Sequence, residues 1–357
     1  MNFDHARDSK IPVILLIDVE PDPFLVNRSD PEPWKGYEAT HPYLAALRYQ
    51  FEEATGSPVH YNWCFRMDPQ VAESYGSPTY AVDRYPEFVK EMVRQGDGLG
   101  SHPHAYRWLE DRQKWLEDLG NQEWVNECVE TSLQAHERAF GTACEIFRFG
   151  NFWINTQTVN HLETLGVRYE LTVEPGLPSY RRGTLEKGYS TGRRPDYCRV
   201  PRVPYEPARE NFLEPASPGS RSIRIVPLTS GWLRLGWNLI ARLKRLHDNG
   251  FRYRWQNERL TMWNEWREPN SFDQMLDRAI AVQEKPYLCF AIRSSIGVGR
   301  SYKNVDHCLR TLLNHSQRRR FVFSTPAEAM ASLDGGRVAG SRAIPSFVPA
   351  PVHNARN

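Results

Sequence analysis

Two short stretches bring side chains that do chemistry close together. An apolar run from Ile11 to Ile17 is followed by Asp18, Val19, Glu20, Pro21 and Asp22. In a strand, alternation sends Asp18 and Glu20 to one side at the C-terminal end. Three carboxylates this close repel one another unless something positive sits among them, and a divalent cation meets that need. The competing reading is a solvated acidic turn broken by proline. The segment LGSHPHA, from Leu99, carries His102 and His104 one residue apart. In extended geometry both imidazoles face the same way, and two imidazoles with a carboxylate and open positions suit zinc, iron, cobalt or nickel. Taken alone the pair also fits hydrogen-bonded structural histidines. The acidic strand end turns it into a metal-site candidate.

Two arginines complete the set. CEIFRFGNFWIN, from Cys144, puts Arg148 and Asn151 at another strand end, with Trp153 just beyond. Arg148 would meet a carboxylate through a bidentate pair, unless it forms an ordinary surface salt bridge. Arg293 follows the apolar run YLCFAI, so its guanidinium emerges into the same cup and needs an anionic partner. Asp18 or Glu20 would make it a structural ion pair. An anionic substrate group, the reading preferred here, would make it a specificity residue.

These motifs need strands that end on one face. Ile11–Ile17 is nearly continuous in apolar character, as in a strand covered on both sides. A helix from about Tyr43 to Thr55 and a strand from Val59 follow, then a helix from Pro86 before LGSHPH. The alternation continues: helix Glu123 to Phe140, strand at Cys144, helix Asn155 to Leu165, strand VRYELTV, strand YLCFAI, helix Lys303 to His315. Thr325, Pro326 and Glu328 read as a capping box opening a last helix. Repeats of this length favour a distorted (β/α) barrel, with its site at the strands' C-terminal face. The barrel is expected over 1–334, with a long Pro-, Gly- and Arg-rich loop insertion near 179–222 and a flexible tail over 335–357.

With 357 residues, 40% hydrophobic and 25% charged, the chain has globular composition and can bury a sizeable core. Forty-five Lys plus Arg against 43 Asp plus Glu leave a net charge of +2, too balanced for a protein devoted to nucleic acid. The first apolar run is too short for a signal peptide, and no later stretch reaches the roughly 20 apolar residues that span a bilayer. A cytoplasmic protein is expected. Six scattered cysteines without a CxxC pair argue against structural zinc on thiolates. The basic amphipathic stretch 231–255 packs on the barrel or makes peripheral contact with an anionic membrane.

LLIDVEPD, LGSHPHAY and FRFGNFWIN, in that order, resemble three motifs of the polysaccharide deacetylase family (the NodB homology domain, carbohydrate esterase family four), and RRFVFSTPAEAMASL resembles its last strand and helix. The resemblance covers roughly Pro12 to Leu333. It implies Asp18 as general base, Arg148 as its orienting partner, and Glu20 and His102 as ligands of a divalent metal, zinc by preference. His104 and Asp22 are added as candidate ligands; Tyr106, Asn151, Trp153 and Arg293 are candidates for contacting an acetylated sugar. Three departures stand out. A residue separates the paired acids; Tyr106 stands where the family's second histidine lies, four positions after the first; and Arg293 stands where a histidine acid is expected. The implied activity is metal-assisted hydrolysis of an N- or O-acetyl group, with Asp18 taking a proton from water. The alternatives are a catalytically silent carbohydrate-binding relative and a hydrolase acting on a lipid-linked sugar.

Overall fold

The computed structural model describes residues 9–23, 25–179, 189–230, 232–233, 258–259, 271–295 and 301–335. Its strands, in chain order, are β1 (Ile11–Val19), β2 (Asn62–Phe65), β3 (Gly98–Ser101), β4 (Tyr106–Leu109), β5 (Lys114–Asp118), β6 (Ile146–Phe147), β7 (Tyr169–Glu170), β8 (Tyr189–Thr191), β9 (Arg224–Ile225), β10 (Trp232–Leu233), β11 (Glu258–Arg259), β12 (Leu288–Arg293) and β13 (Phe321–Phe323). The main sheet runs β12-β1-β2-β3-β6-β7-β9, and β13 pairs with the start of β1. Every pairing in it is parallel. The sheet curls into an open half-barrel, seven strands over 228°, which is the expected (β/α) barrel architecture in unclosed form.

β1 is the axis of this sheet, and all nine of its residues are buried. Its odd-numbered side chains, Val13 to Val19, join the helix-facing core with Leu44, Phe51 and Phe290. Ile14 and Leu16 point the other way, into the barrel interior with Cys64, Leu171 and Cys289. Asp18 and Glu20 continue that inward column. The alternation read from the sequence therefore holds in the fold.

The register lines the strand ends up. Asp18 lies opposite both Cys64 and Arg293, Phe65 opposite Ser101, and Ser101 opposite Phe147. The ladder runs one residue further: Arg66 N donates to Val19 O, His102 N to Phe65 O, and Arg148 N to Ser101 O. Arg66, His102 and Arg148 are thus held as a row on one rim.

Three features depart from the sequence reading. The first helix is Lys35–Thr55, with Pro42 inside it rather than at its start. Short helices at Pro69–Tyr75 and Tyr80–Arg84 follow β2 without an amphipathic period long enough to read. An antiparallel hairpin, β4 with β5, stands directly after the histidines and is extended in parallel by β8. The described part of the stretch near 179–222 is mainly loop, tied down by β8, by a Tyr205–Ile225 bridge and by buried Tyr197 and Phe212. The Thr325 capping box forms as read. Five cysteines are buried and all six are free. Residues 336–357 and, apart from Trp232–Leu233, the stretch 231–255 lie outside the described residues. No described helix is long and apolar enough to cross a membrane.

Candidate functional site

Glu20 leaves the end of β1 and is 1% exposed; its backbone N donates to Ser294 Oγ at 3.1 Å, which ties it to the end of β12. His102 and His104 follow β3, 3% and 2% exposed. Together these three are the group among the described residues able to hold a metal ion, with one donor atom from each lying within 4.8 Å of the others. His104 Nε2 is 3.3 Å from His102 Nε2 and 3.6 Å from Glu20 Oε2, and His102 Nε2 is 4.0 Å from the same oxygen. Nitrogens bound to one tetrahedral zinc at about 2.1 Å sit roughly 3.4 Å apart, so the donors fit a single ion with small adjustment. His104 thus stands in the cluster with His102, as extended geometry one residue apart predicts. Tyr106, four positions after His102, stacks against the His104 ring at 5.5 Å.

Each ligand is aimed from behind. His102 Nδ1 donates to the Arg148 carbonyl at 2.9 Å, which leaves its Nε2 lone pair facing the cluster. Asp68 Oδ2 accepts from the His104 backbone N at 2.9 Å and from Arg66 Nε at 2.7 Å. Gly150 lies flat against the His104 ring: a Cβ there would sit 2.4 Å from three ring atoms. Glycine at this position is a matter of close approach.

Arg148 also serves Asp18. Its Nε donates to both carboxylate oxygens, at 3.0 and 3.2 Å, while Nη1 donates to Leu171 O at 2.8 Å. The contact is a single nitrogen bridging two oxygens, not the two-nitrogen fork expected from sequence. Asp18 Oδ1 lies 3.7 Å from His102 Nδ1.

Arg293 is the main correction. Its Nε donates to Glu20 Oε1, so the carboxylate carries a guanidinium on one oxygen and faces His104 with the other. The preferred reading, a guanidinium reserved for an anionic substrate, gives way to the ion pair. Asp22 stands apart from the cluster as well: both its oxygens accept from Gly36 N, at 2.8 and 3.1 Å, satisfying an orphan N–H in the first turn of helix Lys35–Thr55. Proline on either side of Asp22 ends the alternation that placed Asp18 and Glu20. Asn151 and Trp153 line a small cleft beside the cluster, with Glu117, Ser190, Thr191 and Arg194.

The electrostatics follow from burial and from these partners. Burial raises the Glu20 carboxyl, but Arg293, then the two histidines, outweigh it and hold the group well below the carboxylate range. Burial, followed by Arg66, depresses His104 strongly, so the ring is neutral. Burial also lowers His102, partly offset by Asp18 and Glu20. Neutral imidazoles beside an ionised carboxylate are the protonation states a cation needs.

Arg66, Asp68 and Glu117 were not singled out from the sequence. The first two stand just past the end of β2, Arg66 within VHYNWCFRM and Asp68 directly after it, and obey the strand-end rule that exposed the others. Glu117 reaches the site from the inserted hairpin and has no local signal.

No family model matches the chain, and no curated protein does. Solved structures do. A protein from Parabacteroides distasonis assigned as a glycoside hydrolase/deacetylase superposes with a TM-score of 0.52 at 14% identity, covering 89% of this chain and 70% of its own. Two assigned as polysaccharide deacetylases, from Mycobacterium smegmatis and Pseudomonas aeruginosa, each give a TM-score of 0.48 at 12% identity. They cover 94% and 91% of this chain, and 95% and 91% of their own. The first superposition identifies the fold.

Proposed function

We propose that this chain is a metal-dependent hydrolase, a divergent relative of the polysaccharide deacetylases, that removes an N- or O-linked acetyl group from a sugar or polysaccharide precursor. The reading is carried by one observation: Glu20, His102 and His104 converge in a buried cluster beside an Asp18 already oriented by Arg148. Zinc is the cation this donor set favours, held by Glu20 Oε2 and the two Nε2 atoms. Bound there, it would supply Lewis acidity toward the acetyl carbonyl. Asp18 would take the proton from the attacking water, with Arg148 fixing the plane of its carboxylate. Arg148 and Arg293 would contribute charge and exchange no protons near neutral pH: burial lowers each guanidinium, but Asp18 beside Arg148 and Glu20 beside Arg293 outweigh it and hold both above arginine's already high range.

The ion pair between Arg293 and Glu20 favours a second reading, a catalytically silent carbohydrate-binding relative. Elemental analysis of the wild type and His102→Ala separates the two, together with acetate release from a panel of N- and O-acetylated sugars. The hydrolase reading expects stoichiometric metal and turnover in the wild type and loss of both in a folded variant. Equal metal content in the two proteins, or none in either, would overturn it.

A further inference from the structure

The imidazole of His104 is contacted on both of its nitrogens, and the contact on Nδ1 disagrees with what a cation on Nε2 would need. Nε2 faces Glu20 and His102, where a cation would need a lone pair. Nδ1 faces the amide nitrogen of Asn151 at 3.3 Å. The orientation of that amide is set by Glu117, a buried carboxylate on β5. Its Oε1 accepts from the same Asn151 Nδ2, and its Oε2 accepts from Ser190 Oγ at 2.6 Å. A carboxylate demands a donor, so the NH2 end of Asn151 must be the end that meets Glu117. The same NH2 lies 3.2 Å from Tyr106 Oη and against His104 Nδ1. An Nδ1–H would place a donor against a donor. Asn151 has little freedom to move away, since it and Phe152 are both held left-handed, at φ 57° and 54°.

The geometry points to Glu117 as a positioning residue that acts through Asn151 to keep the hydrogen of His104 on Nε2, and so holds down the metal affinity of the cluster. The hairpin β4–β5 and its neighbour β8 then set the readiness of the metal ligands from outside the barrel. Without a cation, the Nε2–H points at Glu20 Oε2 and at the lone pair of His102 Nε2, which closes the cluster on itself. Binding at Nε2 requires the hydrogen to leave that nitrogen and Asn151 to give up its present orientation. This inference rests on the proposed ligand set, but its first measurement does not require that any metal bind.

The test uses the full-length protein, stripped with chelator and labelled with ¹⁵N at histidine, with the His104 ring signals identified by their loss in His104→Gln. The wild type is expected to show the Nε2–H tautomer; an Nδ1–H tautomer overturns the inference. Glu117→Ala, which frees the amide to turn, is expected to shift His104 toward Nδ1–H and to tighten zinc binding roughly tenfold, at the low end of outer-shell effects. A purely electrostatic or structural role for Glu117 would weaken zinc instead, and that result also overturns the inference. In an Asn151→Gly background, which keeps the left-handed backbone, Glu117→Ala is expected to change zinc affinity no further. A wild type that binds no zinc sinks the hydrolase reading, and the tautomer alone then decides this one.

Discussion

Arg293 donates to one oxygen of Glu20 while the other oxygen of the same carboxylate faces His104. The guanidinium and a bound cation would therefore share one negative charge. Parallel register brings this within reach, because Arg293 lies directly opposite Asp18 on the neighbouring strand, two residues before Glu20. The site balances its buried carboxylate without metal and can still offer an oxygen to one.

Arg293→Ala is accordingly expected to tighten zinc binding by about tenfold or more, since removing a unit charge a few ångströms from a divalent ion is worth at least about 1.4 kcal/mol. The metal-free variant, left with an uncompensated Glu20, should melt below the metal-free wild type and gain more in Tm on adding zinc. Calorimetry with and without zinc measures both. Weaker zinc binding in the variant would mean that Arg293 orients Glu20 as a ligand rather than competing for it.

Gly150→Ala tests the packing behind His104. The added methyl would lie 2.4 Å from the ring, far inside contact distance, so the imidazole must move out of the cluster. Overpacking of this kind costs about 1 to 3 kcal/mol, and zinc affinity should fall at least about tenfold. Denaturant unfolding and zinc titration report the two effects separately. A variant with wild-type affinity would show that His104 does not ligate.

How much of this the sequence disclosed follows from the range of each interaction. Asp18, Glu20, His102 and Arg148 were legible because an apolar strand announces itself and its C-terminal end is where a β/α barrel keeps its chemistry. The convergence of His104 was legible as well, from extended geometry one residue beyond His102. Arg293 was placed correctly on its strand but given the wrong partner. Its choice between Glu20 and a substrate depends on the register of β12 against β1, and composition does not encode register. Asp22 kept the right parity but lost its direction to the prolines around it. The control of Asn151 by Glu117 joins residues on a hairpin and a distant turn, which no local pattern can announce.

Glu170 supplies the last test, one that concerns the barrel beneath the site. It ends β7, is fully buried, accepts from Thr172 N at 2.7 Å through Oε1, and its Oε2 has no partner. Burial, only partly offset by Thr172 and Arg148, pushes its carboxyl from the ordinary 4.5 up to about 7. A buried acid with a raised pKa holds its proton in the native state over a range where the unfolded chain has lost it. Its stabilising effect is complete below about pH 4.5, declines as pH rises, and is lost above about pH 7. His136 acts with the opposite sign: burial lowers it from 6.5 to about 4, so its effect is complete above about pH 6.5 and lost toward pH 4. The two slopes oppose each other between roughly pH 4.5 and 6.5. Glu170→Gln removes one of them. The variant's stability relative to wild type should rise between pH 4.5 and 7, by on the order of 3 kcal/mol in total. Urea unfolding of both proteins at several pH values measures the difference, and a difference independent of pH would mean that Glu170 is ionised in the native barrel and has found a partner for its second oxygen.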